Sequence, residues 1–152
     1  MAEIFLIVLG ILVVIALVIA NGFFVAAEFA LVKVRPSQLH PLEKDGGVRV
    51  KAALRATKHL DGVLSATQLG ITLASLALGW VGEPIVAHKM VEPLLANFGI
   101  TDAATVTTVS FAVAFAIITF LHIVFGELAP KSLAIQYPMA TSLNVADRKS
   151  VV

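Results

Sequence analysis

Two carboxylates stand where an otherwise apolar chain offers little reason for charge. Glu28 lies near the end of an uncharged run, and Glu127 stands just past another, beside Gly126 and three residues before Pro130. A carboxylate at membrane depth is costly and by default marks a functional site. Proline has no amide hydrogen, so Pro130 cannot donate to the carbonyl four residues earlier, which belongs to Gly126. In a helix running through this point, Gly126 presents a backbone oxygen beside the Glu127 carboxylate, and glycine lets an ion or a second helix come close. Carbonyl plus carboxylate oxygen suits a hard cation such as Mg²⁺, Ca²⁺ or Na⁺. The plainer alternatives are a Glu127 side chain paired with Lys131, four residues on, and a Glu28 reaching Lys33 or Arg35.

Neutral oxygens recur at helical spacing. Asn21 and Glu28 are seven apart with Val25 between them. Gln68, Thr72, Ser75 and Gly79 fall at i, i+4, i+7 and i+11, and Ser65 extends the stripe. Thr108, Ala112, Ala116 and Thr119 form a stripe of small residues that reads as helix packing. His122 has no second histidine at ligand spacing, so it is a poor zinc or haem ligand and reads as a hydrogen-bonding group inside the bundle. There is no His-Glu-x-x-His, no Gly-x-Ser-x-Gly and no phosphate-binding glycine loop. An enzyme therefore has little support; an intramembrane hydrolase using His122 and Glu127 lacks a neighbouring nucleophile. No nucleic-acid partner is expected.

The elements that position these groups are membrane helices. The 152 residues are 59% hydrophobic and 14% charged, against about a quarter charged in soluble domains, and the mean hydropathy is +0.95. The absence of cysteine excludes disulfides, cysteine metal sites and thiol catalysis. Three spans are predicted, at 4–32, 62–81 and 104–125, giving an all-α membrane protein. A cleaved signal peptide is the rival for the first, but the start carries Glu3 with no Lys or Arg, and the apolar run continues to Val32. As a helix, 4–32 would be about 43 Å long against a hydrocarbon thickness of about 30 Å, so it tilts, protrudes or breaks at Asn21-Gly22. Residues 84–98, with His88, Lys89, Glu92 and Pro93, read as a short re-entrant or interfacial helix. Gly99 is placed to end it, and Thr101 or Asp102 to cap the next. Residues 48–60 read as a basic amphipathic helix: Val50, Ala53, Leu54 and Leu60 on one side, Lys51, Arg55, Lys58 and His59 on the other, suited to anionic lipid.

Lys and Arg counts orient the chain. The first connection holds seven, the second only Lys89, the tail three and the leading end none. The N-terminus is then outside and the C-terminus cytoplasmic, in the cell's inner (plasma) membrane. Counting from the cytoplasmic ends, Val25 and Gln68 lie about 10 Å in, Asn21 and Thr72 about 15 Å in, and Gly126 roughly 7 Å above Lys131. The polar layers meet in the inner half of the bilayer.

The segment Gly126-Glu127-Leu128-Ala129-Pro130-Lys131-Ser132 resembles the Gly-Glu-x-x-Pro-Lys signature of the CorC/CNNM magnesium transporter family. Asn21-Gly22-Phe23-Phe24-Val25-Ala26-Ala27-Glu28-Phe29-Ala30 and Thr67-Gln68-Leu69-Gly70-Ile71-Thr72 are similar to its first- and second-span motifs, so that residues 1–145 look like the bacterial type of the transmembrane domain. The resemblance implies a homodimer, Mg²⁺ export driven by inward Na⁺ movement, and a largely dehydrated Mg²⁺ in a cytoplasm-facing pocket. It implies Glu127 as the anionic ligand and Gly126 as a carbonyl ligand, with Asn21 and Ser75 supplying neutral oxygens, Thr72 and Gln68 in or behind that shell, and Val25 at a motif position. Glu28, Ser65 and His122 are candidates for supporting or coupling-ion roles, and Pro130 and Lys131 for structural ones. Relatives often carry serines where this chain has Val25 and Ala27, and eukaryotic ones carry asparagines where it has Ile71 and Ser75, which leaves the ligand set open. Full-length members continue into nucleotide-sensing CBS domains, and residues 146–152 match no expected continuation. The alternative is a non-transporting membrane scaffold or sensor that packs through its small and polar stripes and binds anionic lipid.

Overall fold

The computed structural model describes residues 1–44 and 47–149. Three long helices dominate it: α1 (Ala2–Lys33), α4 (Leu60–Asn97) and α5 (Ala103–Gln136). Shorter helices α2 (Pro36–Leu39), α3 (Gly47–Lys58) and α6 (Pro138–Lys149) lie at one end. At 1.5 Å per residue the long helices span about 48, 57 and 51 Å, so each crosses a hydrocarbon core of about 30 Å and projects beyond it. All three are apolar enough to cross a membrane. Their outer faces are lined by exposed Phe5, Leu12, Leu69, Leu73, Trp80 and Phe120, as lipid contact requires.

The expectations for the first span hold in part. α1 runs unbroken through Asn21-Gly22. The glycine serves close approach instead: a β-carbon at Gly22 would lie 2.8 Å from Pro130 Cγ. Val34 turns to an extended conformation (φ −71°, ψ 133°), and Pro36 opens α2, where its missing amide costs nothing.

The second and third spans are longer than expected. Residues 84–98 do not form a separate re-entrant or interfacial helix; the helix continues through Pro84 and Pro93 to Asn97. The backbone shows how. Wide π-helical turns occupy Leu78–Gly82, Ala87–Val91 and His122–Leu128, and each ends two residues before a proline: Pro84, Pro93 and Pro130. A proline ring collides with the carbonyl four residues back and offers it no donor. Widening the preceding turn relieves the collision without ending the helix. Gly99, at φ +78°, ends α4, and Asp102 caps α5 by accepting from the Thr105 amide at 2.9 Å.

α1 and α4 run antiparallel, with Gly10 against Ile85 at one end and Phe24 against Gly70 at the other. Val14, Val18, Leu78, Val86, Ala114 and Ile118 form the core between the three helices. A second cluster lies beneath the membrane layer, where Val50, Ala53 and Leu54 of α3 pack with Val34, Leu39 and Ala146. The apolar side of α3 is therefore covered by its own chain rather than offered to lipid, while Lys51, Arg55, Lys58 and His59 are exposed. The expected tail is helical through Lys149, and residues 150–152 lie outside the described residues.

Candidate functional site

Three helices converge on one small polar centre. α1 presents Asn21, Val25, Glu28 and Phe29; α4 presents Ile71 and Ser75, one turn apart; α5 presents His122 and Glu127. Together they line a cavity of about 210 Å³. His122 and Glu127 are five residues apart, which in an α-helix puts them about 140° from each other. Both lie in the wide turn His122–Leu128, where i to i+5 bonding stacks residues five apart. Pro130 thus has a consequence for the site: the turn it requires aims both side chains at one cavity.

Hydrogen bonds fix the polarity of the centre. The Gly126 carbonyl can only accept, so the Asn21 amide nitrogen faces it, at 3.0 Å. Asn21 Oδ1 then accepts from Ser75 Oγ at 3.1 Å. The serine has one proton and has given it to Asn21. His122 Nε2, 3.1 Å from the same oxygen, must therefore carry the hydrogen and donate. The chain of donors runs from His122 to Ser75 to Asn21 to Gly126 and ties the three spanning helices together. Asn21 is almost fully buried, at 1% exposure. A carbonyl oxygen has two lone pairs, so Asn21 Oδ1, with Ser75 on one, has a second for a further partner.

The sequence-selected residues separate into two groups. Asn21, Ser75, Gly126, Val25, Glu28, His122 and Glu127 meet at or beside the cavity. Gln68, Thr72 and Ser65 do not: all three are exposed on the outside of α4. Thr72 Oγ1 donates to its own helix at Gln68 O, 2.9 Å, and Ser65 Oγ to Asp61 O, 3.0 Å. Thr108 likewise donates to Ala104 O at 2.8 Å. Such back-bonding satisfies a lone hydroxyl within one helix.

Lys131 does not pair with Glu127. Its Nζ lies 4.6 Å from the centre of the Phe29 ring, a cation–π contact. Among the described residues neither Glu28 nor Glu127 is in an ion pair. Gly126 and Asn21 are in contact, so they share one depth, and the shallower placement expected for Gly126 is corrected. α5 continues past Lys131 to Gln136, and the lysine is not its end. Among the described residues no three His, Asp or Glu side chains gather as a metal cluster. The donors available here are neutral oxygens with one or two carboxylates, a set that fits a hard cation and not zinc.

Comparison with known proteins bears on the same segments. The family described as "Cyclin M transmembrane N-terminal domain" matches residues 12–148. This chain belongs to that family. It is 44% identical to the UPF0053 protein YugS of Bacillus subtilis over 141 residues, covering 93% of this chain and 32% of that protein. With the UPF0053 protein YhdT of the same organism the identity is 47% over 130 residues, 86% of this chain and 28% of the relative. The uncharacterized protein Rv1841c of Mycobacterium tuberculosis is 37% identical over 136 residues, 88% of this chain and 37% of its own length. The chain spans about a third of the length of the curated relatives it matches. As a cyclin M transmembrane domain, it is a membrane domain.

Proposed function

We propose that this chain is the membrane domain of a Mg²⁺ transporter and that the cavity between α1, α4 and α5 binds the transported ion. The observation that carries the reading is the convergence of Asn21, Ser75 and Glu127 on one cavity inside a bundle of spanning helices, with the Gly126 carbonyl beside it on the Asn21 amide. Mg²⁺ needs near-octahedral oxygen at about 2.0–2.1 Å and gives up water reluctantly. A cavity of about 210 Å³ holds the ion with several waters. Glu127 supplies the charge that offsets dehydration, and the neutral oxygens replace part of the water shell. Thr72 and Gln68 enter the ligand set only through a rotation of α4 or a neighbouring subunit.

The cavity lining runs along α1 from Asn21 to Phe29, toward the end from which α2 continues, and the reading takes that end as cytoplasmic from the Lys and Arg distribution. Efflux coupled to Na⁺ entry, with a homodimer as the working unit, CBS domains after the membrane domain and Glu28 near the ion path, completes the reading. Thermal unfolding in detergent tests it. A ligand at 100 times its Kd stabilises by about 2.7 kcal/mol, so MgCl2 should raise the melting temperature of the wild type. Glu127→Gln should abolish the rise. Equal rises in both proteins, or none in the wild type, would overturn the assignment and favour a scaffold.

A further inference from the structure

A second and larger cavity adjoins the first. It has a volume of about 340 Å³, and its polar lining is Ser75, Glu83, Thr119 and His122, with Gly79 and Phe115 beside them. Ser75 and His122 line both cavities. The inner cavity extends from their level toward Phe29, and the outer one in the opposite direction, toward Glu83, eight residues along α4 and about 12 Å away. The partition between them includes two side chains joined by one hydrogen bond of 3.1 Å. A rotamer change at either opens a way through, whereas a wall of backbone would not yield so cheaply.

Glu83 gives the outer cavity its chemistry. It is half-buried within a spanning helix, and among the described residues it has no ion-pair partner. A carboxylate so placed needs water or a cation to offset its desolvation. The Thr119 hydroxyl adds an oxygen to the same lining, one turn before His122 on α5. We propose that the outer cavity is a second cation station, built on Glu83 and Thr119, and that the Ser75–His122 hydrogen bond is the closed barrier between the two stations. The ion's identity rests on the Mg²⁺ reading; the path itself rests on the paired cavities.

The chain has no cysteine, so single introduced thiols report access without background. In proteoliposomes of uniform orientation, Val25→Cys and Thr119→Cys are treated with a membrane-impermeant, charged methanethiosulfonate added to one side or the other. Thr119→Cys should be modified from the side opposite to the one that modifies Val25→Cys. Phe120→Cys, on the lipid-facing surface, should be modified from neither. Gly79 supplies a second test, because a β-carbon there meets nothing within 4 Å. Gly79→Leu sets its β-carbon in open space and adds bulk to the lining of the outer cavity; it should cut Mg²⁺ flux at least tenfold while leaving Mg²⁺-dependent thermal stabilisation in place. Glu83→Gln should lower the maximal flux several-fold. Access to Thr119→Cys from neither side, or from the Val25 side, would overturn the two-station path, as would wild-type flux in Gly79→Leu. Opposite-side access in a protein that Mg²⁺ does not stabilise would keep the path and reject only the ion.

Discussion

Asn21 and Ser75 provide the sharpest test of how the three helices are joined. Asn21 makes two interhelical hydrogen bonds, at 3.0 Å to Gly126 O and 3.1 Å from Ser75 Oγ. Interhelical bonds in membranes are worth about 0.6 kcal/mol on average in double-mutant cycles, up to about 1.7. Asn21→Ala loses two of them and leaves the Gly126 carbonyl buried with no side-chain partner, which adds about 1–3 kcal/mol. The expected loss of stability is about 2–4 kcal/mol. Ser75→Ala loses its bonds to Asn21 and His122, about 1–3 kcal/mol together. The double variant should lose less than the sum by the shared bond, about 0.6–1.7 kcal/mol. Unfolding by sodium dodecyl sulfate in mixed micelles, followed by the single tryptophan, Trp80, gives all four corners of the cycle. Additivity within about 0.3 kcal/mol would refute the network. Asn21→Asp adds a polarity check. A carboxylate puts an acceptor against the Gly126 acceptor, so this near-isosteric change should destabilise more than Asn21→Ala.

Three further predictions concern packing and capping. A β-carbon at Gly70 would lie 2.6 Å from the Phe24 ring, so Gly70→Ala should cost about 1–3 kcal/mol in the same unfolding assay, with recovery when Phe24→Leu is added; an unchanged single variant would place Phe24 elsewhere. Ser110 Oγ is buried with no hydrogen-bond partner among the described residues, so Ser110→Ala should stabilise by about 1 kcal/mol, and a comparable loss would reveal a partner. The Thr105 hydroxyl, and then its amide, hold the Asp102 carboxyl below its usual value of 3.8. A depressed folded value gives stability that is present above the unfolded value and lost as pH falls through the folded one. The stability advantage of wild type over Asp102→Asn should therefore shrink between roughly pH 5 and pH 3 in detergent melts; a constant difference across that window would count against the cap.

The sequence made the three spans legible because each carries a long uncharged run that nothing but lipid or a large core could cover. Their ends were less legible. Pro84, Pro93 and the charges around His88 read as a break after Val81, because proline ends an α-helix. In the fold a wide turn before each proline lets the helix go on to Asn97. The same device hid part of the site. His122 and Glu127 sit on different faces of an ideal α-helix and align only in the turn that Pro130 imposes. Periodicity alone grouped Ser75 with Gln68 and Thr72, but a stripe covers a wide arc, and only Ser75 faces α1 and α5 within this chain. Glu83 and Thr119 went unnoticed as cavity residues; the signal available was their spacing from Ser75 and His122, two helical turns on and one turn back. Gly126 was legible from the carbonyl that Pro130 cannot serve, and Asn21 from its helical spacing to Glu28; a 3.0 Å hydrogen bond joins the two in the fold.

The central claim is that this membrane domain moves Mg²⁺ through the cavity bearing Glu127. The most direct measurement is Mg²⁺ flux into proteoliposomes loaded with a Mg²⁺-sensitive dye, comparing wild type with Glu127→Gln. Wild type should give Mg²⁺-dependent flux, and Glu127→Gln should fall to the rate of empty liposomes. Flux that survives Glu127→Gln unchanged, or a wild type no faster than empty liposomes, would contradict the claim.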